Sequence, residues 1–502
     1  MRCPFDPQLK LGSTAIEDVE LDLNCRDEIV PILRALQYIY SKPELREKIL
    51  ELIAADVNSM TSAKLGRKGM TYWEILVLAS VRLGCKLDYD KLHDLANNHR
   101  TLRIIMGVQS AWGDDDGDKD AAFSWRQIRE NVIRIKPETI EKINQIVVAA
   151  GHELAPDAAK QVRGDSFVTE TNIHHPSDSA QIGDGLRNVI KLCVAICSVL
   201  GTKGWREHAA WWRKVRKLKR KINNVASKKG TNHRQRLTDL YGELLDHAET
   251  LLTRAQGLQD HVLALIETGT SELELSALVV DLCYFISVTE HAGNLARRRV
   301  LEGEQVPADQ KLFSVYEPDT ELIVRGKTRT PVQFGHRILI IEDAIGFICH
   351  YEVVPRGVEE RDIVVDRMRK LQDRLDGKIE RASFDKGFHS PDNQRHLADI
   401  VAHPCIPSLG KSTASGAGTV EFRESRTRHP GVESTIGGLQ SGNGLDRCRD
   451  HSRLGYDRYV GLGILGRNLH VLGKLLISLE APSSPAAISK RKPAIKSRRK
   501  AS

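Results

Sequence analysis

The sequence predicts a mixed α/β protein with an all-helical N-terminal region and a second helical block set inside the α/β part. Three observations carry this. Apolar residues recur at helical spacing through the first 155 residues. Short runs of β-branched and aromatic residues, at 161–173 and again from Lys311 onward, alternate with helical patterns. Between them, residues 205–310 lack strand signals and carry leucines at near-heptad spacing. The expected segments are therefore 1–155 (helical), 156–204 and 311–480 (two parts of one α/β core), 205–310 (helical insertion) and 481–502 (basic tail).

In the first segment, Ile29, Leu33, Leu36 and Ile39 mark one helix, and Leu45, Ile49, Leu52 and Ile53 mark the next. Thr71–Leu83 ends at Gly84, Asp88 caps a short helix through Ala96, and another starts at Thr101. Three short helices with a Gly-containing turn fit a helix-turn-helix DNA reader and fit a plain bundle equally well. Arg100 and Arg103 are the candidate phosphate contacts there. The acidic loop Gly113–Asp120 lacks the ligand spacing of a calcium loop and reads as a linker. Ser124 caps a helix, and Pro137 opens the last one of the segment.

Gln161–Ile173 (QVRGDSFVTETNI) reads as a strand with Asp165 inside it. Aspartate is depleted in strand interiors, so its presence calls for a reason such as a cation, a bulge or a solvent-facing edge. His174 and His175 fall on opposite faces of an extended chain and do not suit one metal. An apolar helix, Ile182–Leu200, follows. The insertion opens with Trp205, Trp211 and Trp212 among Arg213, Lys214, Arg216 and Lys217, a basic helix that either tracks phosphates or presents a solvated face.

Strands are expected at Leu312–Tyr316, Thr320–Val324, Arg337–Glu342 and Gly346–Val354, then a helix at Asp362–Leu375. The stretch Ile379–Asn393 places Asp385 directly after a buried strand, where a strand-to-helix turn opens a crevice. Ser390 or Asp392 caps the helix that follows, and Ile400–Pro407 is a further short strand. Gly410–Thr419 holds a GKS triplet without the spacing or context of a phosphate loop. In Arg423–Arg449, Pro430 starts a helix with Glu433 in its first turn, among Arg426, Arg428, Arg447 and Arg449. An acidic residue in a basic stretch is either an ion-pair partner or a metal ligand beside a polyanion. An apolar helix, Tyr459–Leu479, closes the fold.

Composition bounds the function. The chain has 502 residues, 41% hydrophobic and 28% charged, with a net charge of +8. That is ordinary for a globular protein of several domains and favours an anionic partner. The nine cysteines are scattered with no CxxC pair, which argues against a disulfide framework and a structural zinc site and suits a reducing compartment. Cys193 and Cys197 share a helix face and read as buried thiols. No secretory signal opens the chain, and the apolar runs Val189–Leu200 and Ser276–Val288 are too short to span a bilayer. The expectation is a soluble, cytoplasmic protein with no membrane partner.

Read in order, the elements give a strand-borne Asp165, an insertion, a hairpin, a strand-end Asp385 and a helix-borne Glu433. Four segments, RGDSFVTETNIHHPSDS (163–179), VQFGHRILIIEDAIGFICHYEV (332–353), SFDKGFHSPDN (383–393) and RHPGVESTIGGLQSGNGLDRCR (428–449), resemble insertion-sequence DDE transposases, and are most similar to the ISNCY group. The likeness covers most of 70–475. It implies an RNase H-like catalytic core, a mixed sheet flanked by helices, with Asp165, Asp385 and Glu433 as a triad holding two Mg2+ ions, with Mn2+ a workable substitute. It also implies N-terminal helices that bind terminal inverted repeats, strand transfer to target DNA, and a homodimer or higher oligomer on DNA in a bacterial cytoplasm, associated with the nucleoid. Alternatives are a catalytically inactive DNA-binding descendant and a nuclease of the same fold. Where some relatives carry Tyr, Arg and Lys around the Glu, this chain has Arg426, His429 and Gln440, so those roles are not carried over.

Overall fold

The structure is a computed structural model describing residues 2–5, 14–59, 69–108, 122–228, 232–268, 273–324, 331–408 and 418–480. The acidic loop at 113–120, most of the loop at 410–419 and the tail at 481–502 lie outside the described residues. The chain divides into two compact units. Unit 1 comprises 1–132, 143–155 and 465–502, and unit 2 comprises 133–142 and 156–464.

Unit 1 is helical. It contains α1 (Ile29–Ser41), α2 (Pro43–Val57), α3 (Tyr72–Gly84), α4 (Tyr89–Asn98), α5 (Arg100–Ile105), α6 (Trp125–Val132) and most of α7 (Pro137–Leu154). Local chemistry sets the starts. Thr71 and Glu74 form a capping box on α3, and Asp88 accepts from the Lys91 amide at 2.8 Å on α4. The core joins Ile32, Leu33 and Leu36 of α1 to Trp73, Ile75 and Leu76 of α3, and the Trp73 indole donates to the Ile105 carbonyl at 2.7 Å.

The sheet of unit 2 is built from β1 (Gln161–Glu170), β2 (Glu321–Val324), β3 (Val332–Asp343), β4 (Ile348–Val353), β5 (Arg381–Phe384) and β6 (His403–Cys405). Its path is β2-β3-β1-β5-β6, with β4 also paired to β3. It is mixed: β3 runs antiparallel to β1, β2 and β4, whereas β1, β5 and β6 are parallel. Several expected strand limits change: β3 begins at Val332, not Arg337, β4 covers Ile348–Val353 of the expected Gly346–Val354, and β6 covers only His403–Cys405 of the expected Ile400–Pro407. Residues 312–316 form no strand, because the Gln181 side chain takes up their backbone, donating to the Phe313 carbonyl (2.9 Å) and accepting from the Val315 amide (3.0 Å). β1 stops at Glu170, where the chain turns to bond Asp446 and Cys448 instead.

Helices α8 (Asp178–Val199), α9 (His208–Ala226), α10 (His233–Glu267) and α11 (Leu273–Ala296) pack as one bundle. The boundary expected at 204/205 therefore falls earlier. Ile182, Leu186, Val189, Cys193 and Ile196 line one side of α8, and that side is buried among the insertion helices. The chain then runs through α12 (Glu360–Arg374), α13 (Pro391–Ala398), α14 (Val420–Arg428), α15 (Gly431–Ser441) and α16 (Ser452–Glu480). By length and composition α16 could cross a membrane, a feature the sequence reading did not anticipate. However, 67% of its most apolar window is buried inside the protein, as in a core helix. All nine cysteines are free, and Cys193 and Cys197 are buried.

Candidate active site

β1 and β5 pair in parallel, with Arg163 opposite Ser383 and Gly164 opposite Phe384. The next position on each strand line is an aspartate, Asp165 and Asp385. Adjacent strands lie about 4.8 Å apart, so the two backbones carry these carboxylates side by side. Alternation along the strands puts Arg163, Asp165, Ser383 and Asp385 on one face of the sheet. The opposite face carries Ser166, whose hydroxyl donates to Glu360 of α12 at 2.8 Å.

The face with the aspartates is crossed by the α14–α15 segment. His429, between the two helices, is buried and lies 3.2 Å from the Ser383 hydroxyl through Nδ1. Arg163 donates to the Arg428 carbonyl at 2.9 Å and pairs with Glu342 of β3, directly across from it in register. Gly431 opens α15 where a Cβ would lie 2.1 Å from the Arg163 guanidinium, so a larger residue there would displace that group. Further along, the Gln440 amide donates to the Val168 carbonyl at 3.3 Å. α15 is thus pinned at both ends over β1, with Glu433 exposed in its first turn, one turn after His429.

The electrostatics of His429 report the same neighbourhood. Burial pushes its pKa down and Arg426 pushes it further, while the charges of Asp385 and Glu433 pull the other way. One imidazole feels both carboxylates. The β1–β5 pairing ends one residue before each aspartate, and the His429–Ser383 contact ties the segment before α15 to β5; Asp165, Asp385 and Glu433 do not form a cluster with ligand atoms within 4.8 Å of one another.

Several basic residues expected to touch an anionic partner have partners within the fold. Arg103 donates to the Ala96 carbonyl at 3.1 Å and so closes the end of α4. Arg428 donates to the Gln161 side chain at 2.7 Å, and Arg447 pairs with Glu170 at 2.6 Å. Arg100, Arg426 and Arg449 are exposed, as are Arg213, Lys214, Arg216 and Lys217 on α9, whose buried side is Val215, Leu218 and Ile222. Trp205 is a core residue edge-on to Trp211, with Arg254 stacked over both rings. His174 pairs with Asp184, and His175 packs edge-on against Phe334.

Sequence reasoning missed Arg163, Glu342, Ser383 and His429. A signal existed for the first two: a charged residue two positions before Asp165 must share its face, and Glu342 ends the apolar run ILII where an unpaired carboxylate would be costly. Set against family models, curated proteins and solved structures, the chain matches none.

Proposed function

We propose that the chain is a DDE transposase with an RNase H-like core, which cleaves DNA at the ends of a mobile element and joins the freed 3′-hydroxyl to target DNA. The observation that supports this reading is the parallel register of β1 and β5, whose paired stretch ends one residue before Asp165 on one strand and one before Asp385 on the other. The strand order β2-β3-β1-β5-β6 with β4 also on β3, antiparallel on one side of β1 and parallel on the other, also supports it.

The donor set suits hard divalent cations. All three groups are carboxylates, two are exposed and one is half-buried, and no thiol or imidazole belongs to the set. Asp165, Asp385 and Glu433 would hold two Mg2+ ions. When bound, such ions lower the pKa of an attacking water and stabilise the departing 3′ oxygen. Arg163 and His429 hold α15 in place, so that Glu433 need not be reoriented when DNA arrives. The exposed cations of α9, with Arg426 and Arg449, supply phosphate contacts, and the N-terminal helices bind the terminal inverted repeats. In this reading the protein works in the cytoplasm on nucleoid DNA.

The test is a purified full-length chain, Mg2+ and a duplex carrying the inverted repeats that flank its own gene. The expected products are a 3′-hydroxyl at the element end and its joined form. Asp165→Asn, Asp385→Asn and Glu433→Gln should each remove both products and keep end binding. Hydrolysis without joining would make the chain a nuclease, and binding without cleavage a DNA-binding protein. Near-normal cleavage by Asp385→Asn would sink the assignment of the triad.

A further inference from the structure

α11 is apolar on two opposite sides. Leu275, Val279, Leu282 and Ile286 are buried in the bundle. On the other side Leu273, Ala277, Val280, Tyr284, Ser287 and His291 are all exposed, Leu273 by 90%, Val280 by 67% and Tyr284 by 41%. A soluble helix normally keeps one polar face, as α9 does, and an apolar second face marks a partner. The outer residues step by four and three in alternation, the seam spacing of paired helices, over about 27 Å.

The spacing reads the same in both directions. Reversing the helix about the midpoint between Val280 and Tyr284 carries Leu273 onto His291, Ala277 onto Ser287 and Val280 onto Tyr284. A second α11 laid antiparallel across a two-fold axis therefore matches seam to seam, the condition for an isologous interface. The two ends are complementary as well. The N-terminal end offers an exposed leucine and Glu274. The C-terminal end has a cavity of about 330 Å3 lined by Tyr284, Val288, His291, Asp309, Lys311 and Arg356, among others. Tyr284 is fixed there by donating to the Val315 carbonyl at 2.9 Å. An apolar knob with a carboxylate meets a cleft that carries two cations against one acid.

We propose that the outer face of α11 is a self-association surface, on which a second copy of this chain packs antiparallel with Leu273 of each copy at the cleft of the other. The exposed Asp281 would then approach its own copy near the axis, where like charges oppose association. The proposal does not rest on the transposase reading, and its test contains no DNA.

Sedimentation of the full chain over a range of concentrations should show a monomer–dimer equilibrium. Val280→Glu should weaken it by about 30-fold or more, with unchanged circular dichroism. Asp281→Asn should tighten it. Glu274→Lys and Lys311→Glu should each weaken it, and together should restore it, which tests the antiparallel sense. A monomer at every concentration would leave the seam to a different protein and overturn the proposal. So would a dimer indifferent to Val280→Glu, or charge reversals that fail to rescue each other.

Discussion

Arg163 gives the sharpest test of how α15 is held. Its guanidinium pairs with Glu342, which is 0% exposed, while Arg163 itself is 19% exposed. It also donates to the Arg428 carbonyl. Arg163→Met would remove both interactions and leave the Glu342 carboxylate without its guanidinium. Removing one partner of a buried pair costs about 3–5 kcal/mol, and the partial exposure of Arg163 favours the lower end. Adding Glu342→Gln takes away the stranded charge and should recover about 2 kcal/mol of that loss. Gly431→Ala probes the same clamp from the helix side. Its Cβ would meet the Arg163 guanidinium, and displacing that group from Glu342 and the Arg428 carbonyl should cost up to about 1 kcal/mol in the wild type. In the Arg163→Met background the clashing group is gone and the substitution should be nearly neutral. Urea unfolding of the four variants, followed by far-UV circular dichroism, gives the cycle. Equal costs for Gly431→Ala in both backgrounds, or a cost below about 1 kcal/mol for Arg163→Met, would refute the clamp.

Three other outcomes are expected. Neutralising Arg213, Lys214, Arg216 and Lys217 together should lower the affinity for duplex DNA and flatten its dependence on salt, with unfolding unchanged, since all four are exposed on α9. Gly473→Ala should destabilise unit 1 by about 1–3 kcal/mol by urea titration, because a Cβ there would lie 1.8 Å from the Pro31 carbonyl. Burial, with Lys474 and Arg467, holds the His470 pKa down to about 4. The unfolded chain then binds the extra proton first, so stability should fall as the pH drops from about 6.5 towards 4, and His470→Gln should flatten that slope.

The helical parts were legible because their signals are local. Asp88, Ser124 and Ser390 each accept the backbone bond expected of a cap, and Pro137 opens α7. Residues 312–316 misled for a physical reason. Phe313 and Val315 have strand-like side chains, and both are buried, but a single glutamine on α8 satisfies their backbone. Periodicity reports that a segment is extended and buried, not which group completes its hydrogen bonds. α8 misled in the same way: its apolar stripe was plain, but a stripe does not say whether a sheet or a helix covers it.

The same limit divides the site. Asp385 stood out because a strand end and a capped helix flank it, a pattern contained within fifteen residues. That the strand before Asp165 pairs with the strand before Asp385 depends on a parallel register across the whole insertion, which no local pattern specifies. The Glu433 helix depends on contacts more distant still. The Gly437-Gly438 pair lowers its intrinsic helicity, yet α15 runs on to Ser441. Tertiary contacts flank it: Arg163 of β1 bonds the Arg428 carbonyl at the end of α14, His429 before α15 bonds Ser383 of β5, and Gln440 near the end of α15 bonds Val168 of β1. A weak helix held by contacts just before it and by Gln440 near its end takes its position from the sheet. Changes at Arg163 or His429 should therefore disturb Glu433 more than changes within the helix itself.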